Sequence, residues 1–268
     1  MTRPQEILGR ETLWREARDH AVRTLTEQRP EWNAKEFWGQ DCPECGETRP
    51  TVNVYGFICD CEMSEGARIA QAQIAKRRPE AVAAILSRAG IPPRFAQASF
   101  DTFRRRPGTA SALDAAQEYA DEFSDETTTG LLLGGPWGSG KTHLAVAVLR
   151  RCVERTLVEG RFMSCGHLVA RVRSGEGVNW RPVDEAISAE FLVLDDLGQE
   201  VGTDFTRDVV ARVIFGRYDA SAPTLFTSND SPAALGGLFG GGVLSRLKEM
   251  TEARTITADD YRGRRAAG

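Results

Sequence analysis

The spacing of apolar positions changes character twice along the chain. In the first forty residues Leu8, Leu13, Trp14, Val22 and Leu25 stand among Arg and Glu, which predicts an amphipathic helix ended by Pro30. Thr51 to Phe57 alternates like a short hairpin strand. Met63 to Gly90 predicts a basic linker helix pair, broken at Pro79 and stopped at Gly90, its charge run a solvated face. Ile91 to Phe103, IPPRFAQASFDTF, follows as an arm whose prolines end any helix, with Phe95, Phe100 and Phe103 as anchors onto the next domain. Residues 110–124 form another helix.

From near Gly130 short apolar runs alternate with helical periodicity. Strands are predicted at Leu131 to Leu133, Arg161 to Ser164, Phe191 to Asp195 and Thr224 to Thr227, with a fifth at Ala253 to Thr257. Helices are predicted at Thr142 to Val158, His167 to Arg173 and Phe205 to Tyr218. This order implies an α/β fold, a mostly parallel sheet covered on both faces with ligands at the carboxyl ends of its strands.

At 268 residues the chain exceeds one typical compact domain, so a large domain with a smaller appendage is expected. A net charge of -4 argues against a broadly basic surface, so any nucleic-acid contact is local. The N-terminus carries charges where a signal peptide needs an apolar core, and no run approaches membrane-spanning length. A cytoplasmic protein with no membrane partner is expected.

Four of the six cysteines, Cys42, Cys45, Cys59 and Cys61, fall within twenty residues, while Cys152 and Cys165 stand alone. In a cytosolic chain this clustering favours metal over disulfide. Cys42-Pro43-Glu44-Cys45-Gly46 has the form of a zinc knuckle, and Cys59-Asp60-Cys61 supplies a second pair with an unusually short spacer. Four thiolates make a closed, structural Zn²⁺ site, and such binding contributes roughly 10–16 kcal/mol of apparent free energy. Trp32, Phe37 and Trp38 either pack the back of this module or form part of a docking face. His143 and His167 have no second donor at metal spacing and are expected to pack or lie at the surface.

The strongest chemical signal is GGPWGSGKT, Gly134 to Thr142, between a predicted strand and a predicted helix. In G-x-x-x-x-G-K-[ST], Gly135 and Gly140 bracket Pro136, Trp137, Gly138 and Ser139, and glycine lets backbone N–H groups curl toward an oxyanion. The following helix start favours the same phosphates. Lys141 is expected to reach the β- and γ-phosphates of ATP and Thr142 to ligate Mg²⁺, with His143 completing the nucleotide-binding stretch. FLVLDDLG, Phe191 to Gly198, ends a buried strand in two carboxylates; Asp195 is expected to hold Mg²⁺ and Asp196 to polarise the attacking water. In TLFTSND, Asn229 is placed to reach the γ-phosphate or that water.

IPPRFAQASFDTF, GGPWGSGKTHLAVAV, FLVLDDLG, TLFTSND, LSRLKEM and the late DYR together resemble the DnaC-type helicase loaders, a branch of the AAA+ ATPases shared with the transposition helper IstB. The resemblance spans roughly residues 91–262. It implies an αβα AAA+ core with a five-stranded sheet, Lys141 and Thr142 as the Walker A pair, Asp195 and Asp196 as Walker B, and Asn229 as sensor one. Arg246 matches the arginine finger that completes a neighbour's ATP site, a contribution of about 10³–10⁵ in rate; Arg217 and Arg262 are second-rank candidates for nucleotide or interface contacts. Asp196 replaces the usual glutamate, implying slow, switch-like hydrolysis. The glycine-rich run Gly236 to Val243 is expected to be a flexible connection. A cysteine module ahead of the core is similar to that of DnaI-type and phage-borne loaders.

The organisation expected is residues 1–62 as a helical and Cys₄ helicase-binding domain, 63–109 as linker and arm, and 110–268 as the ATPase. The implied activity is delivery of a hexameric replicative helicase to single-stranded DNA, by a chain that forms a homo-oligomer in the ATP-bound assembly. Arg171, Arg173, Trp180 and Arg181 are candidate DNA contacts, suited to backbone tracking and base stacking or equally to a solvated helix face. A transposition helper and a non-hydrolysing nucleotide-gated adaptor remain as alternatives.

Overall fold

The computed structural model describes residues 65–173, 177–199 and 203–261. The predicted N-terminal helix, the aromatics at Trp32, Phe37 and Trp38, the four clustered cysteines and Arg262 lie outside the described residues. The chain divides into two units, Met1–Ala83 and Ala84–Gly268. Helix α1, Glu65–Arg88, runs as one helix through Pro79, where a helix pair was expected. A helix-interior proline removes a single i→i−4 bond, and here it does not end the element.

In the second unit a one-turn 3₁₀ segment, Pro93–Phe95, leads through the arm to α2, Ala110–Glu122. Strand and helix then alternate: β1 (Gly130–Gly134), α3 (Lys141–Thr156), β2 (Gly160–Ser164), α4 (Cys165–Val172), α5 (Arg181–Ser188) and β3 (Phe191–Leu197). They continue with α6 (Asp204–Asp219), β4 (Thr224–Ser228), α7 (Pro232–Phe239), α8 (Gly241–Met250) and β5 (Thr251–Thr255). All pairings are parallel and the strand order is β2-β3-β4-β1-β5.

The runs Leu131 to Leu133 in β1 and Phe191 to Leu194 in β3 are apolar without interruption because both sheet faces are covered there, whereas the edge strand β5 is largely exposed. Leu132, Leu192, Leu194 and Phe226 belong to the core built with α4 to α8. Phe191, one position out of phase with Leu192, instead meets the rings of Phe123 (5.1 Å) and Tyr119 (6.2 Å), where α2 covers the opposite face beside α3.

Three differences from the sequence reading have local causes. β3 extends past Asp195 to Leu197, with an irregular register against β4 between Leu194 and Leu197 and a left-handed Asp196 (φ 59°). Such a bulge re-aims side chains that strict alternation would send to opposite faces. The expected flexible connection at Gly236 to Val243 is helical: Ser231 caps α7 by accepting from the Ala234 amide (3.2 Å), Pro232 opens it, and only Gly240 (φ 89°) separates it from α8. Buried Leu235, Val243 and Leu247 hold these helices, and a Cβ on Gly236 would come within 2.6 Å of Leu244. Third, α5 was not anticipated; it opens at the Trp180-Arg181-Pro182 step, where proline suits a first turn.

Candidate nucleotide-binding site

The loop from Gly135 to Gly140 turns the chain from the end of β1 into the first turn of α3. Gly135, Gly138 and Gly140 take φ values of 145°, 70° and 112°, a region that side-chain-bearing residues occupy only with strain. Packing imposes a second demand, since a Cβ on Gly135 would stand 2.3 Å from the Ile256 carbonyl oxygen. Trp137 lies at the outer rim, 63 % exposed.

Lys141 is buried, and its Nζ donates to the carbonyls of Gly135 (2.8 Å) and Pro136 (2.9 Å) and to Asn229 Oδ1 (2.7 Å). This ties the loop to the end of β4. The same Asn229 leaves its Nδ2 buried without a partner, as does Ser139 with its Oγ. Unpartnered buried polar atoms are costly, and two of them beside a glycine cradle and an ammonium suit a phosphate oxygen set.

Beside the loop, Thr142 Oγ1 donates to both Asp195 oxygens (3.0 and 3.2 Å). Thr227 Oγ1 donates to Asp195 Oδ1 at 2.6 Å and accepts from the Asp196 amide at 2.9 Å. Burial pushes the Asp195 carboxyl up to about 6; the Thr227 hydroxyl pulls it back, Asp196 adds to the rise, and Thr142 and Lys141 oppose it. A threonine hydroxyl with a carboxylate is a hard oxygen donor set that fits Mg²⁺. Asp196 lines the cavity itself.

That cavity, about 590 Å³, is lined by Lys141, Thr142, Asp196 and Asn229 together with the arm and Tyr261. Its volume is in the range of small-molecule sites. His143 fastens the arm: Nε2 lies 2.9 Å from the Ser99 carbonyl and 3.2 Å from Thr102 Oγ1, and Phe103 meets its ring edge-on at 5.4 Å. His143 packs against the arm and also lines the cavity, and His167 is exposed at the start of α4. Arg106 clamps the other side, donating to the carbonyls of Ser139 (3.0 Å) and Asp259 (2.8 Å) under the Tyr261 ring (5.2 Å). The Tyr261 amide in turn donates to the Gly138 carbonyl at 3.0 Å.

Sequence reasoning missed Thr227, Arg106 and Tyr261. Thr227 was discoverable, because a buried strand threonine next to a strand ending in carboxylates needs a polar partner. Arg106 carries no local signal, and Tyr261 stands in the DYR motif, of which only the arginine was singled out.

The remaining candidates fall elsewhere. Arg217 is a correction: it is fully buried and makes five hydrogen bonds, to Thr224 Oγ1 and the carbonyls of Ala186, Ile187, Ala189 and Pro223. It holds the end of α5 to the start of β4, and burial pulls its guanidinium down to about 9. Arg246 lies on α8 over the rings of Phe215 (4.5 Å) and Tyr218 (5.2 Å), outside the cavity lining. Of the DNA candidates, Arg171 and Arg181 pair with Glu185, Arg173 stacks on Phe205 (4.7 Å), and Trp180 lies beneath Arg212 (4.6 Å).

A glycine phosphate loop after β1, carboxylates on β3 and a polar residue after β4, in a parallel sheet of order 2-3-4-1-5, define a P-loop nucleotide-binding domain of the AAA+ type. The family described as IstB-like ATP binding protein matches residues 70–267, and the chain belongs to it. It is 22% identical over 173 residues to the replicative helicase loader DnaC of Buchnera aphidicola subsp. Acyrthosiphon pisum, covering 61% of this chain and 68% of that one. An insertion-sequence ATP-binding protein of Mycobacterium tuberculosis is 28% identical over 208 residues, 73% of this chain and 79% of that one. Among solved structures, the DnaC helicase loader superposes with a TM-score of 0.58 at 30% identity, over 62% of this chain and 100% of that chain. DnaI follows at 0.55 and 24% identity, over 63% and 93%, a likeness of fold. No described helix is long and apolar enough to cross a membrane.

Proposed function

We propose that this protein is an ATP-dependent loader of a hexameric replicative helicase onto single-stranded DNA, with ATP binding and hydrolysis timing release. The observation that carries this reading is the joint one of a nucleotide site closed by the arm and a 30% likeness covering the whole of the solved DnaC helicase loader. Lys141 and the loop amides bind the phosphates; Thr142 and Asp195 would hold Mg²⁺, which would supply charge neutralisation at the phosphates. Asp196 orients and polarises the water, and Asn229 turns its unpartnered Nδ2 toward the γ-phosphate. Arg246 of one copy completes the site of the next, so hydrolysis follows assembly. Arg171, Arg173, Trp180 and Arg181 belong to the surface offered to DNA, and Cys42, Cys45, Cys59 and Cys61 bind zinc in the part that grips the helicase.

Affinity capture from the native host with ATP is the direct test. Nucleotide-sensitive recovery of a replicative helicase is expected, lost with Lys141→Ala; its absence would sink the proposal. A second reading, a transposition helper, is favoured by the 28% identity to the insertion-sequence protein, above the 22% to the Buchnera loader. Recovery of a transposase would establish it. Phosphate release at background level, unchanged by Lys141→Ala, would instead mark a non-hydrolysing adaptor. Elemental analysis tests the cysteines: close to one zinc per chain is expected.

A further inference from the structure

Arg217, on α6, and Arg246, on α8 against it, are used in opposite ways. Arg217 spends its guanidinium on five acceptors and is closed to solvent. Arg246 has one hydrogen bond, NH1 to the Gly242 carbonyl within its own helix (3.2 Å), and its buried Nε has no acceptor at all. What holds Arg246 is two rings from α6, Phe215 at 4.5 Å and Tyr218 at 5.2 Å. A guanidinium over an aromatic face is attracted by the ring quadrupole without consuming N–H donors. Glu249, on α8, raises the hydroxyl pKa of Tyr218. Phe215 and Tyr218 are half-buried against the core, so both rings have a firm backing.

We infer that Phe215 and Tyr218 are positioning residues for Arg246: they hold its guanidinium in place on α8 with N–H donors free for a phosphoryl oxygen of ATP bound in a neighbouring copy of this chain. This rests on the reading of Arg246 as a residue acting between subunits. A long arginine side chain left free would have to be ordered anew at each assembly. Stacking on rings already fixed removes most of that requirement, and it leaves the planar fork intact for an anion.

Mixed assemblies of the full chain with ATP and single-stranded DNA test this. Arg246→Ala keeps a nucleotide site but lacks the finger; Lys141→Ala lacks the site but keeps the finger. Each alone releases little phosphate, and mixing them restores release if Arg246 acts across the interface. The same titration is then run with Lys141→Ala donors that also carry Phe215→Leu, Phe215→Tyr, Tyr218→Leu or Tyr218→Phe. The leucine donors are expected to give a maximal rate about tenfold lower at an unchanged half-saturating donor concentration, a loss of about 1.4 kcal/mol in transition-state stabilisation. The tyrosine and phenylalanine donors, which keep a ring, are expected to restore the parent maximum. Leucine preserves apolar volume, and a thermal melt of each donor matching Lys141→Ala alone separates positioning from folding. If leucine donors that melt normally reach the parent maximum, the rings do not position Arg246 and the inference falls. If the Lys141→Ala donor rescues nothing, the reading of Arg246 beneath it falls as well, and the two failures are distinct in the data.

Discussion

Thr227→Val isolates the energetic role of a hydroxyl that organises both carboxylates of β3. Thr227 is fully buried, and its Oγ1 both donates to Asp195 (2.6 Å) and accepts from the Asp196 amide (2.9 Å). Valine has the same shape and can do neither. Losing a hydrogen bond to a carboxylate costs about 1.5–3 kcal/mol, and an N–H left buried without an acceptor costs about 1–3 kcal/mol. The added methyl returns about 0.8 kcal/mol of apolar burial. The net loss is then about 2–5 kcal/mol, or roughly 4–20 °C in melting temperature for an ordered region of this size. Asp196 also loses the anchor that holds its left-handed backbone, so single-turnover phosphate release should fall further than ATP affinity. Thr227→Ser keeps the hydroxyl and should lose only about 1 kcal/mol. Thermal unfolding by circular dichroism, paired with quenched-flow phosphate release, measures both effects. A valine variant that melts with the parent and hydrolyses at its rate would refute the assignment of Thr227 as the organiser of the acidic pair.

Gly135→Ala should destabilise the chain by about 1–3 kcal/mol from backbone strain alone, and by more because its Cβ meets the Ile256 backbone at 2.3 Å; a melt combined with titration of a fluorescent ATP analogue should show both properties lost together. Arg217→Lys keeps the charge, yet one ammonium cannot reach the α5 carbonyls and the Pro223–Thr224 corner at once. Leaving two acceptors unsatisfied predicts a loss of about 2–6 kcal/mol, with nucleotide affinity unchanged, and an affinity loss at full stability would return Arg217 to the site. His143→Ala releases the arm at Ser99 and Thr102; at about 0.5–1.5 kcal/mol for one hydrogen bond, ATP should bind roughly 2- to 10-fold more weakly, and calorimetry showing no change would mean that the arm does not close the site.

The strand positions, the phosphate loop and the acidic pair were legible in one dimension because each depends on near neighbours. Uninterrupted apolar runs such as Phe191 to Leu194 signal strands buried on both faces wherever they pair. The glycines at 135, 138 and 140 answer to local φ values, and the Lys-Thr that follows is fixed to the loop by covalent proximity. Arg217 and the glycine-rich stretch were misjudged for the converse reason. A surface arginine and a structural one look alike in sequence, and only burial against α5 shows that its five acceptors are all internal. Likewise Gly236, Gly237, Gly241 and Gly242 favour a loop by propensity, about 1 kcal/mol each against alanine. Burial of Leu235, Val243 and Leu247, with a serine cap and a helix contact too close for a Cβ, overrides that preference.

By itself, then, the sequence determined the α/β alternation, the glycine loop and the gathering of Lys141, Thr142, Asp195 and Asp196 at the strand ends. Those follow from backbone sterics and the period of burial, which act over a few residues. Only the tertiary structure decided that Thr227 sets the acidic pair, that Arg106 and Tyr261 clamp the loop while His143 fastens the arm, and that Arg217 is a brace while Arg246 rests on aromatic rings. These contacts join residues up to 153 positions apart, and such pairs exist only once the sheet has assembled and brought its carboxyl edge together.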